Sequence, residues 1–194
     1  MHATSKPDQP DSPPPIVALT GFMAAGKTTI GRTLGSLLRW RFIDLDCEIE
    51  RRSKLPIHEI FAIHGEPHFR QLEADVLRSV LEQASAPTII AVGGGTFVQS
   101  QNADRLRGRG VHVVFLELAV EKLLERCRAA GQRSAQNPRP LAADAEAFCS
   151  LYSERLPSYR KAELIVNTEG KPAEQVAREI VAALRLTVPG ERGV

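Results

Sequence analysis

Apolar residues along this chain follow two rhythms that alternate. Short dense runs at Ile16–Thr20, Arg41–Ile43, Thr88–Val92, Val111–Leu116 and Glu163–Val166 read as buried strands. The stretches between them space their apolar residues by threes and fours and predict helices at Lys27–Leu38, Ile57–His64, Pro67–Gln83, Val120–Ala129, Ala142–Arg160 and Pro172–Leu186. Strands separated by helices imply one parallel sheet joined by right-handed crossovers, an α/β domain over residues 16–186. The stretch "AGQRSAQNPRP", Ala130–Pro140, is polar, basic and without period, so a surface loop is expected there. Residues 1–15 are polar and proline-rich and residues 187–194 lack pattern; both read as tails. No internal repeat is visible.

The first strand runs straight into "GFMAAGKTT", Gly21–Thr29. Gly21, Gly26, Lys27 and Thr28 fit G-x-x-x-x-G-K-[ST] in the strand–loop–helix setting that the motif requires. The chemistry explains the residue types. Glycines let backbone N–H groups curl round a β-phosphate, and the helix N-terminus adds a favourable dipole. Lys27 reaches the β- and γ-phosphates, and the Thr28 hydroxyl ligates Mg²⁺. The loop predicts ATP or GTP as the phosphoryl donor and leaves the acceptor open.

Two later patterns bear on the acceptor. In "FIDLDCEIE", Asp44 and Asp46 stand two apart, which on extended backbone turns both carboxylates the same way. One would serve the metal's water shell, and the other would orient and deprotonate a hydroxyl. The alternative is a helix N-cap followed by an acidic first turn. In "IFAIHGEPHFRQLE", Arg70 and Glu73 lie one helical turn apart, so that Glu73 can hold the guanidinium for a substrate carboxylate. The alternative there is an exposed ion pair. After the third strand, Gly93, Gly94 and Gly95 follow in a row, a costly sequence unless something lies against bare backbone.

Taken in order, the phosphate loop, "DLD", "GE" then "FR" then "E", "GGG", "RPL" at Arg139–Leu141 and "RLPSYRKAELIVNT" at Arg155–Thr168 resemble the shikimate kinases, from about Ile16 to Leu186. The resemblance implies a P-loop fold of the nucleoside-monophosphate-kinase-like type, with a five-stranded parallel sheet in the order 2-3-1-4-5 and a mobile lid at about residues 130–142. It implies transfer of the ATP γ-phosphoryl group to the 3-hydroxyl of shikimate, on the route to chorismate and the aromatic amino acids. By matching position, Gly21, Ala24, Ala25, Gly26, Lys27, Thr28 and Thr29 would bind ATP, joined by Arg139 from the lid. Asp46 would meet the acceptor hydroxyl, and Arg70 and Arg155 would clamp its carboxylate. Gly93, Gly94 and Gly95 would offer N–H groups to the acceptor, their bareness making room for its ring. Thr28 and Asp44 would attend one Mg²⁺. Arg126 or Arg128 on one side, and Pro172 on the other, are the candidates beside the adenine.

Composition narrows the partners. A net charge of +2 and 5% aromatic residues do not suit nucleic acid. No apolar run reaches the length of a membrane span, and the N-terminus lacks the apolar core of a signal peptide. Cys47, Cys127 and Cys149 are scattered and share no CxxC spacing, so they are expected as reduced thiols packing like small apolar groups in a cytoplasmic protein, and the resemblance implies a monomer. His64 and His68 stand four apart, but Gly65 and Pro67 interrupt the helix between them, and a metal pair is not expected. Trp40 is expected as core. Two other functions fit parts of the pattern: a kinase acting on a gluconate or a nucleoside monophosphate, and a non-catalytic ligand sensor. The sensor is disfavoured because Lys27, Asp44, Asp46 and Arg139 are all retained and the lead-in is too short for a DNA-binding domain.

Overall fold

The computed structural model describes residues 14–133 and 144–190. Five parallel strands form one sheet in the order β2-β3-β1-β4-β5. They are β1 (Ile16–Thr20), β2 (Arg41–Asp44), β3 (Thr88–Ala91), β4 (His112–Glu117) and β5 (Leu164–Asn167). The register sets Val17 against both Ile89 and His112, Phe42 against Ile89, and Val114 against Leu164. The strands β1 and β3 are buried throughout, as an apolar run without alternation requires, and the outer strands are not.

Helices α1 (Lys27–Leu38), α5 (Val120–Arg133), α6 (Ala145–Tyr159) and α7 (Ala173–Ala183) pack one face of the sheet through residues such as Leu34, Cys127, Phe148 and Ile180. Helices α2 (Leu45–Ser53), α3 (Ile57–Glu82) and α4 (Ser100–Gly108) cover the other, through Ile49, Leu77 and Leu106. The connections leaving β1 and β3, neighbours in the sheet, therefore depart over opposite faces and open a crevice at their C-terminal ends.

Four expectations change. Helices α2 and α4 were hidden from the apolar pattern because both are short and mostly polar, burying only Leu45 and Ile49 in one and Asn102, Ala103 and Leu106 in the other. The two helices expected around Gly65 form the single element α3, bent where Gly65 takes φ 78°. The loop expected from Ala130 begins later, since α5 continues to Arg133. Cys47 is exposed at the start of α2, not packed; Cys127 is buried and Cys149 half-buried. Trp40 packs against the core as expected.

Candidate active site

The phosphate loop folds as its glycines dictate. Gly21 takes φ 145°, and a Cβ there would stand 2.9 Å from the Leu116 carbonyl oxygen on β4. Gly26 caps α1 in the left-handed region at φ 95°, and Ala24 is left-handed too. Ala25 is buried beneath the loop, while Thr28 and Thr29 are exposed on the first turn of α1. The Lys27 ammonium curls back over this loop and donates to the carbonyls of Gly21 and Phe22, both at 2.9 Å. The lysine is thus already held over the position where the loop would receive phosphate.

Asp44 and Asp46 are not an extended pair. Asp44 ends β2 and caps α2, its Oδ1 accepting from the N–H groups of Asp46 and Cys47 at 3.2 and 3.4 Å. The helix-cap alternative is the correct local reading, because the chain turns helical at Leu45. Both carboxylates still reach the crevice. The second oxygen of Asp44 accepts from the Thr28 hydroxyl at 2.7 Å. Asp46 Oδ1 stands 2.9 Å from where a Gly93 Cβ would be. Burial pushes the Asp46 carboxyl up to about 6; the Lys27 ammonium pulls the other way, and Asp44, Glu73 and Glu50 add to the rise.

Thr28 Oγ1 and Asp44 Oδ2 fit a hard divalent cation. They are oxygen donors at a helix N-terminus, and Mg²⁺ takes few protein oxygens, filling the rest of its shell with water and phosphate. Among the described residues, no group of three or more His, Cys, Asp or Glu could hold a metal by itself.

The acceptor side is built from side chains. Arg70, on the second half of α3, donates from Nη1 to Glu73 Oε2 at 3.0 Å. Its Nε and Nη2 donate to Glu66 Oε1 at 3.1 and 2.9 Å. Partial burial opposes the Arg70 charge, but Glu73 and Glu66 outweigh it and hold its pKa above the usual arginine value. Glu73 is only 1% exposed and is fixed from behind by the Thr96 hydroxyl at 2.6 Å, so the pair is no surface decoration. Arg155, on α6, lies over the Phe22 ring with its guanidinium carbon 5.9 Å from the centroid.

The three glycines separate into two kinds. A Cβ on Gly95 would meet the Arg70 guanidinium at 2.6 Å, and one on Gly93 would meet Asp46, Glu73 and Thr96 at about 3 Å. These two are bare because the protein's own side chains lie against them. Gly94 differs: its Cβ would find ordinary contacts, 3.6 Å to the Gly21 carbonyl and 3.7 Å to Arg155 Nη1 and Tyr159 Oη. Of the three glycines expected to leave room for a ring, Gly94 alone has that room.

Arg139 and the remainder of the expected lid, residues 134–142, lie outside the described residues. Arg126 and Arg128 are exposed on α5, and Pro172 caps α7. His64 and His68 are exposed on α3 with ring centroids 4.6 Å apart. Two contributors escaped the sequence reading. Glu66, four before Arg70, was legible as a helical pair. Tyr159, whose hydroxyl donates to the Gly94 carbonyl, was not, because nothing local to it predicts a partner across the crevice.

An all-parallel sheet in this order, with a phosphate loop at the end of its central strand, defines a P-loop phosphotransferase of the nucleoside-monophosphate-kinase-like type. A sequence model of the shikimate kinase family matches residues 23–185. The shikimate kinase of Nitrobacter winogradskyi is 41% identical over 169 residues, 87% of this chain and 76% of its own. That of Geobacter metallireducens is 39% identical over 185 residues, 94% of this chain and 98% of its own. A solved structure, shikimate kinase from Acinetobacter baumannii in complex with shikimate, aligns with a TM-score of 0.77 at 32% identity, over 90% of this chain and 96% of that one. The chain belongs to the shikimate kinase family.

Proposed function

We propose that this protein transfers the γ-phosphoryl group of ATP to the 3-hydroxyl of shikimate, giving 3-phosphoshikimate and ADP, on the route to chorismate and the aromatic amino acids. The observation that carries this reading is the pairing, across one crevice, of a phosphate loop with an acceptor wall suited to a small molecule bearing both a hydroxyl and a carboxylate. Asp46 offers a carboxylate to the hydroxyl; Arg70 and Arg155 offer guanidinium groups to the carboxylate.

The step is an in-line displacement. The loop N–H groups and the Lys27 ammonium bind the donor phosphates and steady their charge. A carboxyl raised to about 6 remains largely ionised at neutral pH, yet is a stronger base than an ordinary aspartate, so Asp46 takes the proton as the acceptor oxygen bonds to phosphorus. The bond from phosphorus to the bridging oxygen breaks, and ADP leaves with that electron pair. Thr28 and Asp44 would hold a Mg²⁺ ion, which would supply positive charge to the donor phosphates. Arg139 supplies a further positive charge to the transferring group from the lid, by analogy with arginine fingers.

Free thiols at Cys47, Cys127 and Cys149 suit a reducing compartment, and we read the protein as cytoplasmic. We also read it as a monomer with neither nucleic acid nor membrane as partner, in keeping with its mild net charge of +2. Among the described residues no helix is long and apolar enough to cross a membrane. Coupled ADP release, with shikimate, quinate, gluconate and AMP offered in turn, tests the assignment. Turnover with shikimate far above the other three is expected; preference for gluconate or AMP would overturn it.

A further inference from the structure

Tyr159 is the last residue of α6, four beyond Arg155, and is completely buried. Its ring stacks on Phe115 of β4 at 5.1 Å and 24°. From there the hydroxyl crosses to the turn after β3 and donates to the Gly94 carbonyl, 65 residues away in sequence. The flanking carbonyls of that turn are satisfied locally: Gly93 accepts from the Thr96 N–H at 3.1 Å and Gly95 from the Val98 N–H at 3.2 Å. The middle carbonyl takes its hydrogen bond from Tyr159 instead.

This arrangement has a geometric consequence. A trans peptide holds its C=O and the following N–H antiparallel, so the direction of the Gly94 carbonyl fixes that of the Gly95 N–H. Neither residue carries a Cβ, and a peptide between two glycines rotates with little steric resistance. The turn's own hydrogen bonds hold the peptides on either side and leave this one to be set from outside.

We infer that Tyr159 is a positioning residue for the acceptor: its hydroxyl locks the Gly94–Gly95 peptide in one orientation and so aims the Gly95 amide. The inference rests on the assignment of this turn to the acceptor. Two further observations favour it. Arg155 Nη1 and Tyr159 Oη both stand 3.7 Å from where a Gly94 Cβ would be, so the clamp arginine and the tyrosine converge on one peptide from one helix. Burial also pushes the Tyr159 hydroxyl up to about 12, with Arg155 partly opposing the rise, which keeps the group protonated and a donor across the working pH range.

Tyr159→Phe tests the role, since it keeps the ring against Phe115 and removes only the hydroxyl, which donates to Gly94 and also meets Arg155. In the ligand-free protein, the Gly95 amide resonance is expected to be single in the wild type and broadened or doubled in the variant, as the peptide samples both orientations. Equilibrium titration should show shikimate binding weakened by about tenfold, the order of one lost hydrogen bond in a closed site. The KM for ATP should stay within about twofold of wild type, because a positioning effect confined to the acceptor leaves donor binding alone. An unchanged Gly95 resonance would overturn the lock whatever the substrate proves to be. Equal losses for shikimate and ATP would reduce Tyr159 to a structural residue. A lock seen by resonance in a wild type that ignores shikimate would instead overturn the acceptor assignment, and with it the role claimed here.

Discussion

At the phosphate loop the groups proposed to meet ligand are mostly main-chain and come from one run of residues, Gly21–Thr29; across the crevice they are mostly side chains drawn from α2, α3, the turn after β3, and α6. The loop keeps its shape through backbone conformation: Gly21 at φ 145°, Ala24 at 61° and Gly26 at 95°. The acceptor wall keeps its shape through mutual contact, with Thr96 on Glu73, Glu73 and Glu66 on Arg70, and Tyr159 on Gly94. A site made of backbone should lose function without losing stability when its one charged side chain is cut. A site made of interlocked side chains should lose both together.

The widest separation is expected at Lys27. Lys27→Ala should cut turnover by about three orders of magnitude or more, because the ammonium acts on the donor phosphates. The thermal midpoint should move far less than turnover, since Lys27 donates to the carbonyls of its own loop at Gly21 and Phe22. Arg139→Ala should likewise lower kcat by about three orders of magnitude, as loss of an arginine finger does, while leaving the shikimate dissociation constant near wild type. Steady-state ADP release beside equilibrium titration reads both. Near-normal turnover in Lys27→Ala would remove the contrast altogether.

Arg70→Ala should behave in the opposite way. Losing a charge-assisted contact in a closed site should weaken shikimate binding by about 2–4 kcal/mol. Stability should fall as well, by about 3 kcal/mol or more, because the buried Glu73 carboxylate is left without its guanidinium. An acceptor analogue lacking the carboxylate should bind wild type far worse than shikimate but discriminate little in Arg70→Ala. If the two proteins lose equally, the clamp is misassigned.

The glycine turn sharpens the comparison within three residues. Gly95→Ala should disturb both fold and acceptor binding, because its Cβ displaces the Arg70 guanidinium from contact at 2.6 Å. Gly94→Ala should keep the thermal midpoint, as its Cβ meets nothing closer than 3.6 Å, and yet raise the shikimate KM. Equal melting losses in the two variants would abolish the distinction drawn between them.

The smallest effect lies outside the site, on α2. The hydrogen bond from Arg51 lowers the Glu48 carboxyl, slight burial opposes it, and Arg52 lowers it again, leaving it at about 2 instead of 4.5. A depressed folded-state pKa adds stability that is fully present above 4.5 and is lost as pH falls toward 2. The pair is exposed enough for solvent to screen it, so Glu48→Gln should cost only a few tenths of a kcal/mol at neutral pH. Denaturant midpoints of the two proteins should converge as pH falls through that window; a constant gap would mean that Glu48 acts through packing.

The same contrast explains what could be read from sequence. The phosphate loop was legible because its function and its fold are the same local pattern, and the strands were legible because β1 and β3 are apolar without interruption. The Arg70–Glu73 pair was legible as a helical spacing, whereas the burial that makes it firm depends on Thr96, 23 residues further on. The two aspartates were misread in backbone, because β2 stops at Asp44 and one residue of helix redirects Asp46. Tyr159 and the division among the glycines were out of reach, since both depend on which side chains the sheet brings together.

The two halves of the site are joined at Asp44. One carboxylate oxygen caps the helix that carries Asp46, and the other holds the Thr28 hydroxyl at the head of the phosphate loop. Its oxygens are rigidly bonded, so a ligand that draws one toward the donor end tilts the other against the cap. Donor and acceptor affinities should then be heterotropically linked through this one carboxylate. Linkage is reciprocal: whatever factor ATP imposes on shikimate binding, shikimate must impose on ATP binding. A single residue would thereby let a two-substrate enzyme register which partner is already in place.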